Sequence, residues 1–374
     1  MSVHLERLAL REIRLPLREP FRISSGVVSV RRILLLELRD ASGAVAWSEC
    51  VAEEEPNYSP ETIDTAWLMI ETRLAPRVLG RAFTHPAEVK PVLDADFRGH
   101  NMAKAAVEMG LWGLAATLAG EPLARFIGGT RDAIATGISL GIQETPELLV
   151  ERASAALAQG YRKIKVKIGP GRDLAYLRAA REALGPGAPL MADANNAYTL
   201  ANADRFVKLD TLGLMMIEQP LAWDDLVRHA ELQKRLRTPI CLDESITSLE
   251  RAQDMVTLGS GRIVNLKPGR VGGLSASLAI HDFCLDRGVP VWCGGMLESG
   301  IGRAYNVALA SLPGFALPGD VSPSARYWER DVVTPEWTME DGLVRVPLER
   351  PGIGVDVDRE RVESLTVRRA ELRS

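Results

Sequence analysis

Lys167, Asp193, Glu218, Asp243 and Lys267 follow one another at intervals of 26, 25, 25 and 24 residues, each at or beside the close of a short apolar run. Within Tyr161–Pro170 (YRKIKVKIGP), Lys163, Lys165 and Lys167 alternate with Ile164, Val166 and Ile168. Period two sends the two sets to opposite faces of a strand. Alone, the stretch reads as a surface strand with a solvated lysine face. The runs PLMADAN, LMMIEQP and ICLDES, which end in Asp193, Glu218 and Asp243, and RIVNLKPG, which ends in Lys267, change that reading.

If the lysines face inward, each needs a counter-charge, because burying an unpaired ammonium costs several kcal/mol. The three acids supply it. Gathered at one end of a fold they would repel each other, and a divalent cation relieves the repulsion. An all-oxygen donor set selects magnesium or manganese over zinc. Two lysines facing each other over such an ion suit removal of a proton α to a carboxylate. The enediolate needs stabilising as it forms, which a metal on the carboxylate oxygens provides. A partly desolvated lysine beside other cations has a lowered pKa and can act as base. Lysines on both faces can deprotonate either configuration and reprotonate from the other side.

The elements that must position these residues form a repeat. GISLGI (Gly137–Ile142) reads as a strand, TPELLVERASAALAQG as a helix capped by Thr145 and stopped at Gly160, and KIKVKIG as a strand again. Further strands are expected near 189–193, 214–218, 239–243, 262–267, 289–294 and 315–319. Helices are expected over 172–184, 200–209, 224–236, 248–258, 274–287 and 302–311, with the eighth helix poorly marked. Repeats of this kind predict a (β/α)7–8 TIM-type barrel over 131–320, with its site at the strand C-termini. A doubly wound sheet would want a Gly-rich phosphate turn after its first strand, and Ser139–Gln143 is not one. Before the barrel, residues 4–52 read as antiparallel strands around an Asp40–Gly43 turn, with a small-residue loop at Pro20–Val28. Helices follow from about Pro60 to Ile127. The expectation is an α+β capping domain over 1–130, completed by the tail 321–374 packing back onto it.

Composition narrows the function. The chain has 374 residues, 46% hydrophobic and 25% charged, with a net charge of −4. That is a globular composition without the basic footprint of a nucleic-acid binder. No run of 18 apolar residues and no uninterrupted signal-peptide core is present, so no membrane association and a cytoplasmic location are expected. Cys50, Cys241, Cys284 and Cys293 lack metal spacing and lie in or beside apolar runs, as buried free thiols do. The five histidines are scattered, which leaves little for a histidine metal site or a Ser-His-Asp triad.

KIKVKIG together with Asp193, Glu218, Asp243 and Lys267 resembles the muconate-lactonizing subgroup of the enolase superfamily, over essentially the whole chain. By that resemblance Lys165 and Lys167 form a KxK pair with Lys167 as acid/base, and Lys267 is the opposite acid/base or cation. Asp193, Glu218 and Asp243 hold magnesium, with manganese or another divalent ion as substitute, and Asn195 and Glu244 support the ligands. Lys163 falls outside the motif. GISLGI, DANNAYTL, IEQPLAWDDL, CLDESI, WCGGMLESGIGRA and PGDVSPSARYWERD are similar to o-succinylbenzoate synthases that also racemise N-acylamino acids. Dipeptide epimerases carry a DxD where this chain has Asp320-Val321-Ser322. The resemblance further implies that Ser139 and the turn bearing Met296, Glu298, Ser299, Gly300 and Ile301 line a pocket for a small carboxylate. The loops carrying Phe21 and Tyr58 would close over it. From the residues alone, Met296 and Ile301 read as core. A homo-oligomer, dimer or octamer, is also implied. The rivals are a muconate or chloromuconate cycloisomerase with the same metal and lysines, a barrel glycosidase, which lysines beside the acids disfavour, and a non-catalytic metal-binding barrel.

Overall fold

The computed structural model describes residues 2–23 and 26–374. An antiparallel sheet opens the chain, with β1 (Val3–Ile23), β2 (Gly26–Asp40) and β3 (Val45–Cys50) as consecutive neighbours. Within Pro20–Val28, expected as a loop, residues 21–23 and 26–28 instead prolong the ladder, with Phe21 opposite Val28 and Ile23 opposite Gly26. Phe21, Val27 and Val28 have the aromatic and β-branched side chains that suit a pleated surface. The tip of that expected loop, Ser24–Ser25, lies outside the described residues. A long helix, α1 (Asn101–Ala119), is buried on all sides from Met102 to Ala116 and ends at Gly120, whose φ of 70° lets the chain leave the helix.

Seven parallel strands then form one sheet in chain order: β4 (Ile138–Leu140), β5 (Ile164–Lys167), β6 (Leu190–Asp193), β7 (Ile217–Glu218), β8 (Ile240–Leu242), β9 (Ile263–Leu266) and β10 (Val291–Cys293). Between and after them run α2 (Pro146–Ala158), α3 (Leu174–Leu184), α4 (Ala203–Leu209), α5 (Leu226–Lys234), α6 (Leu249–Leu258), α7 (Leu274–Asp286) and α8 (Gly300–Ala310). The eighth strand, expected near 315–319, forms only single bridges, Phe315 to Val291 and Gly319 to Thr136. Those bridges touch the last strand and Thr136, just ahead of the first, so the segment closes the barrel without a ladder. Pro318 removes a backbone donor that a ladder would use. The eighth helix is a single 3-10 turn, Ser324–Arg326. The final strand, β11 (Thr366–Arg373), lies antiparallel on β1.

Two buried glutamates join the N-terminal unit to the barrel. Glu49 on β3 accepts hydrogen bonds from Ser299 N, Ser299 Oγ (2.6 Å) and Gly302 N (3.1 Å) at the start of α8. Glu108 on α1 accepts from Leu274 N (2.7 Å) and Ser275 N (2.9 Å) at the start of α7. Both satisfy orphan helix N–H groups and sit at the positive end of the helix dipole. Helix starts in such a barrel lie at the strand C-terminal end, so these contacts seat the antiparallel layer over the mouth.

Packing between α1 and the sheet is tight at Gly110. A Cβ there would collide with Leu38 Cδ1 and lie 2.9 Å from Ser48 Oγ. Leu38 is fully buried and has nowhere to go. Gly110→Ala gains about 1 kcal/mol of helix propensity but overpacks a filled core at about 1–3 kcal/mol. The variant is expected to be less stable than the parent, read as a lower urea midpoint.

Candidate active site

The parallel pairing brings the charged strand ends together. Lys167 stands opposite Asp193 on the neighbouring strand, and Asp193 opposite Glu218. Cys241 pairs with Glu218, which places Asp243 two residues further along the next strand. Ile164, Val166 and Ile168 are buried in the main core while Lys163 and Lys165 are buried on the axial face. The alternation in the sequence therefore divides core from barrel interior, not core from solvent.

Each ammonium is aimed at a carboxylate. Lys167 Nζ donates to Asp193 Oδ2 and Asn195 Oδ1, both at 2.6 Å. Lys165 Nζ lies 3.3 Å from Asp193 Oδ2, 3.3 Å from Glu218 Oε2 and 2.5 Å from Asp320 Oδ2. Lys267 Nζ donates to Asp243 Oδ2 at 2.8 Å and sits 4.4 Å from the centroid of the Tyr58 ring. Asp243 Oδ1 accepts from Arg270 and from Tyr58 OH, the latter at 2.7 Å. Asn195 and Asn196, both with positive φ, donate to Glu244 Oε1.

Electrostatics follows from burial and these partners. Burial resists ionisation of Asp243, but Lys267 and Arg270 outweigh it and hold the carboxyl well below its usual range. Burial, then the charge of Asp193, pushes Glu218 up to about 8. Burial, Asp243 and Asp193 push Glu244 up to about 7. For Lys267, burial favours the neutral form, yet Asp243 and Tyr58 keep it above the ordinary lysine value. Lys165 is also raised, by Asp320, Glu218 and Asp193 against burial. At these two positions the nearest charges are carboxylates, which favour the ammonium form.

A cavity of about 80 Å³ opens at this end, walled by Lys165, Lys167, Lys267, Asn195, Ser139, Asp320, Tyr58 and Glu53, with Phe21, Val28, Gly295, Met296, Leu297 and Tyr327 supplying its backbone and apolar side. Lys167 and Lys267 thus reach one space from β5 and from the end of β9, with three strands between them. Met296 serves both the cavity and the core of the N-terminal layer. Glu298, Ser299, Gly300 and Ile301, expected at the pocket, do not line it. Glu298 accepts from Met296 N and Asn306, Ser299 caps α8 and binds Glu49, Gly300 N donates to Asp331, and Ile301 is in the core. The start of α8 demands these partners, which leaves only the first half of the turn free.

Several residues of the site escaped the sequence reading. Asn265, two residues before Lys267 on the same strand face, donates to Glu218 Oε1 at 2.7 Å, and the period-two rule would have found it. Arg270 follows Lys267 by one helical turn. Gln219, with φ of 37°, accepts from Asp243 N (3.0 Å) and so fixes the loop that carries that acid. Tyr58→Phe removes one donor to a charged acceptor while Arg270 remains. Loss of about 1.5 kcal/mol of stability is expected by urea unfolding.

The chain matches the model "Mandelate racemase / muconate lactonizing enzyme, N-terminal domain" over residues 7–128 and "Enolase C-terminal domain-like" over 148–362. It is 52% identical over 366 residues to an o-succinylbenzoate synthase of Geobacillus kaustophilus, covering 98% of this chain and 97% of that one. It is 47% identical over 365 residues to an N-succinylamino acid racemase of Thermus thermophilus, covering 98% of each. A crystal structure of an enolase superfamily member from Listeria innocua superposes with a TM-score of 0.95 at 38% identity, over 99% of both chains. The match of both domain models, in order and over most of the chain, places this protein in the enolase superfamily of enzymes.

Proposed function

We propose that this enzyme removes a proton α to a carboxylate, as an o-succinylbenzoate synthase, an N-succinylamino acid racemase, or both. The observation that carries the reading is the opening of Lys167 and Lys267 into one cavity from separate walls, each beside a strand-end acid. Support comes from relatives of both names at about half identity over nearly the whole length.

Asp193, Glu218 and Asp243 would hold a divalent cation, magnesium by preference. Among the described residues no three acidic, histidine or cysteine side chains are gathered as an ion cage; the ammonium of Lys165 lies 3.3 Å from both Asp193 and Glu218, and those of Lys167 and Lys267 lie on Asp193 and Asp243. The donor set nevertheless fits such an ion in kind: three buried carboxylates at the ends of adjacent strands, all oxygen. When bound, the ion would take up the carboxylate charge that holds Lys267 high and stabilise charge developing on a substrate carboxylate.

The chain's own residues supply the rest. In dehydration, Lys167 removes the α-proton and then protonates the departing hydroxyl, while Lys267 holds positive charge beside the developing anion. In racemisation, Lys167 and Lys267 alternate as base and acid. Asn195 orients Lys167, and Tyr58 and Arg270 orient Asp243 beneath Lys267. Phe21, Met296 and Tyr327 give the cavity an apolar side. We also read residues 1–130 with 321–374 as the capping unit and 131–320 as the barrel.

The test is direct. The purified chain, stripped with chelator and resupplied with magnesium, is expected to aromatise the hydroxycyclohexadiene carboxylate precursor with loss of water, and to interconvert N-succinylphenylalanine enantiomers. Turnover of cis,cis-muconate with neither of these reactions would establish the cycloisomerase instead.

A further inference from the structure

Lys163 has no part in the reaction above, yet it is fully buried beneath the reacting groups. Its ammonium lies 3.3 Å from the centroid of the Trp292 ring and 3.0 Å from Asp320 Oδ1. Room for it comes from Gly137, where a Cβ would sit 2.7 Å from Lys163 Cε and 2.9 Å from the Lys163 carbonyl oxygen. The second oxygen of Asp320 is 2.5 Å from Lys165 Nζ. One carboxylate, on the segment that closes the barrel, therefore clasps two lysines of one strand face.

Lys165 has three acids within reach, Asp320 at 2.5 Å and Asp193 and Glu218 at 3.3 Å each. Asp193 and Glu218 are the acids read above as cation ligands, and an ammonium resting on them competes with the ion for the same lone pairs. Asp320 is set apart from that trio by its tie to Lys163. The Lys165 ammonium, which donates to Glu218 and lies 3.3 Å from Asp193, also reaches Asp320 at 2.5 Å. We propose that Asp320 is a positioning residue: it is the anion that retains that ammonium at the cavity wall when those two acids turn to a cation, while Lys163, stacked on Trp292 and 3.0 Å from Asp320 Oδ1, holds that carboxylate in place. The inference rests on the reading of Asp193 and Glu218 as ligands.

The experiment is a Mn²⁺ titration of the full-length protein without substrate, followed by electron paramagnetic resonance of the free ion. In Asp320→Asn, Lys165 loses its nearest anion and falls back on Asp193 and Glu218, so the Mn²⁺ Kd is expected to rise at least fivefold. Adding Lys165→Met removes the competitor, and Kd is expected to return to within a factor of two of the parent. A merely structural role for Asp320 would not be reversed by a second core substitution. Should Asp320→Asn fail to fold because Lys163 is stranded, Lys163→Met/Asp320→Asn is compared with and without Lys165→Met in the same way. A rise smaller than fivefold, or one that Lys165→Met does not reverse, overturns the proposal. Absence of Mn²⁺ binding by the parent chain would instead overturn the ligand reading, and this inference with it.

Discussion

Lys267→Ala is expected to end the interconversion of N-succinylphenylalanine enantiomers, with kcat lowered about 10²–10⁴-fold, the range for loss of a positioned acid or base. The fold should stand, because Asp243 keeps Arg270 and Tyr58 as partners once the lysine is gone. KM should move little, since Lys165, Lys167 and the apolar wall still line the cavity. Lys267→Arg sharpens the result. A guanidinium retains the charge but does not give up its proton. It should therefore preserve more of the dehydration, where this position supplies charge, than of the racemisation, where it must be base and acid in turn. Polarimetry for the racemisation, beside loss of the cyclohexadiene substrate for the dehydration, separates the two. Equal losses in both reactions would mean that Lys267 does not exchange a proton with substrate.

Glu218→Gln is the second large effect. The side chain is fully buried, with Oε1 accepting from Asn265 and Oε2 3.3 Å from Lys165. Glutamine fills the same volume and its amide oxygen still accepts from Asn265, so packing is preserved and only the charge goes. A cation held by Asp193 and Asp243 alone keeps two of its three charged donors. With weaker stabilisation of the developing anion, kcat/KM should fall about 10²–10³-fold. Excess Mn²⁺ should restore part of the loss if the defect is in ion binding, and none of it if Glu218 only supports the packing of β7. Steady-state rates across a metal titration distinguish these outcomes.

The sequence was most informative where chemistry and periodicity coincide. A period of two in Ile164–Lys167, and a near-constant interval from Lys167 to Lys267, translate directly into parallel register, so the principal lysines and acids could be located before any coordinates. Periodicity carries no information about segments that obey no period. The closing segment 315–319 interrupts its ladder with Pro318 and reads like a strand only in its apolar content. The Gly295–Ile301 turn is divided by the demands of a helix start, so Met296 reaches the cavity while Ser299 and Gly300 serve the cap. Glu49 and Glu108 sit in a mostly apolar strand and helix, and the tertiary docking of α7 and α8 explains them. Charge is likewise set by tertiary distance: Asp243, 2.8 Å from the Lys267 ammonium, favours its charged form.

In the proposed reaction Lys167 and Lys267 address one α-carbon from opposite sides. Proton NMR in D₂O, with magnesium and each pure enantiomer of N-succinylphenylalanine, measures this most directly. The account predicts that the parent enzyme washes out the α-proton signal of both enantiomers. It further predicts that Lys167→Ala and Lys267→Ala each abolish inversion, and that the residual exchange each retains is confined to opposite enantiomers. Exchange of the same single enantiomer in both variants, or no α-proton exchange by the parent with either form, would contradict it.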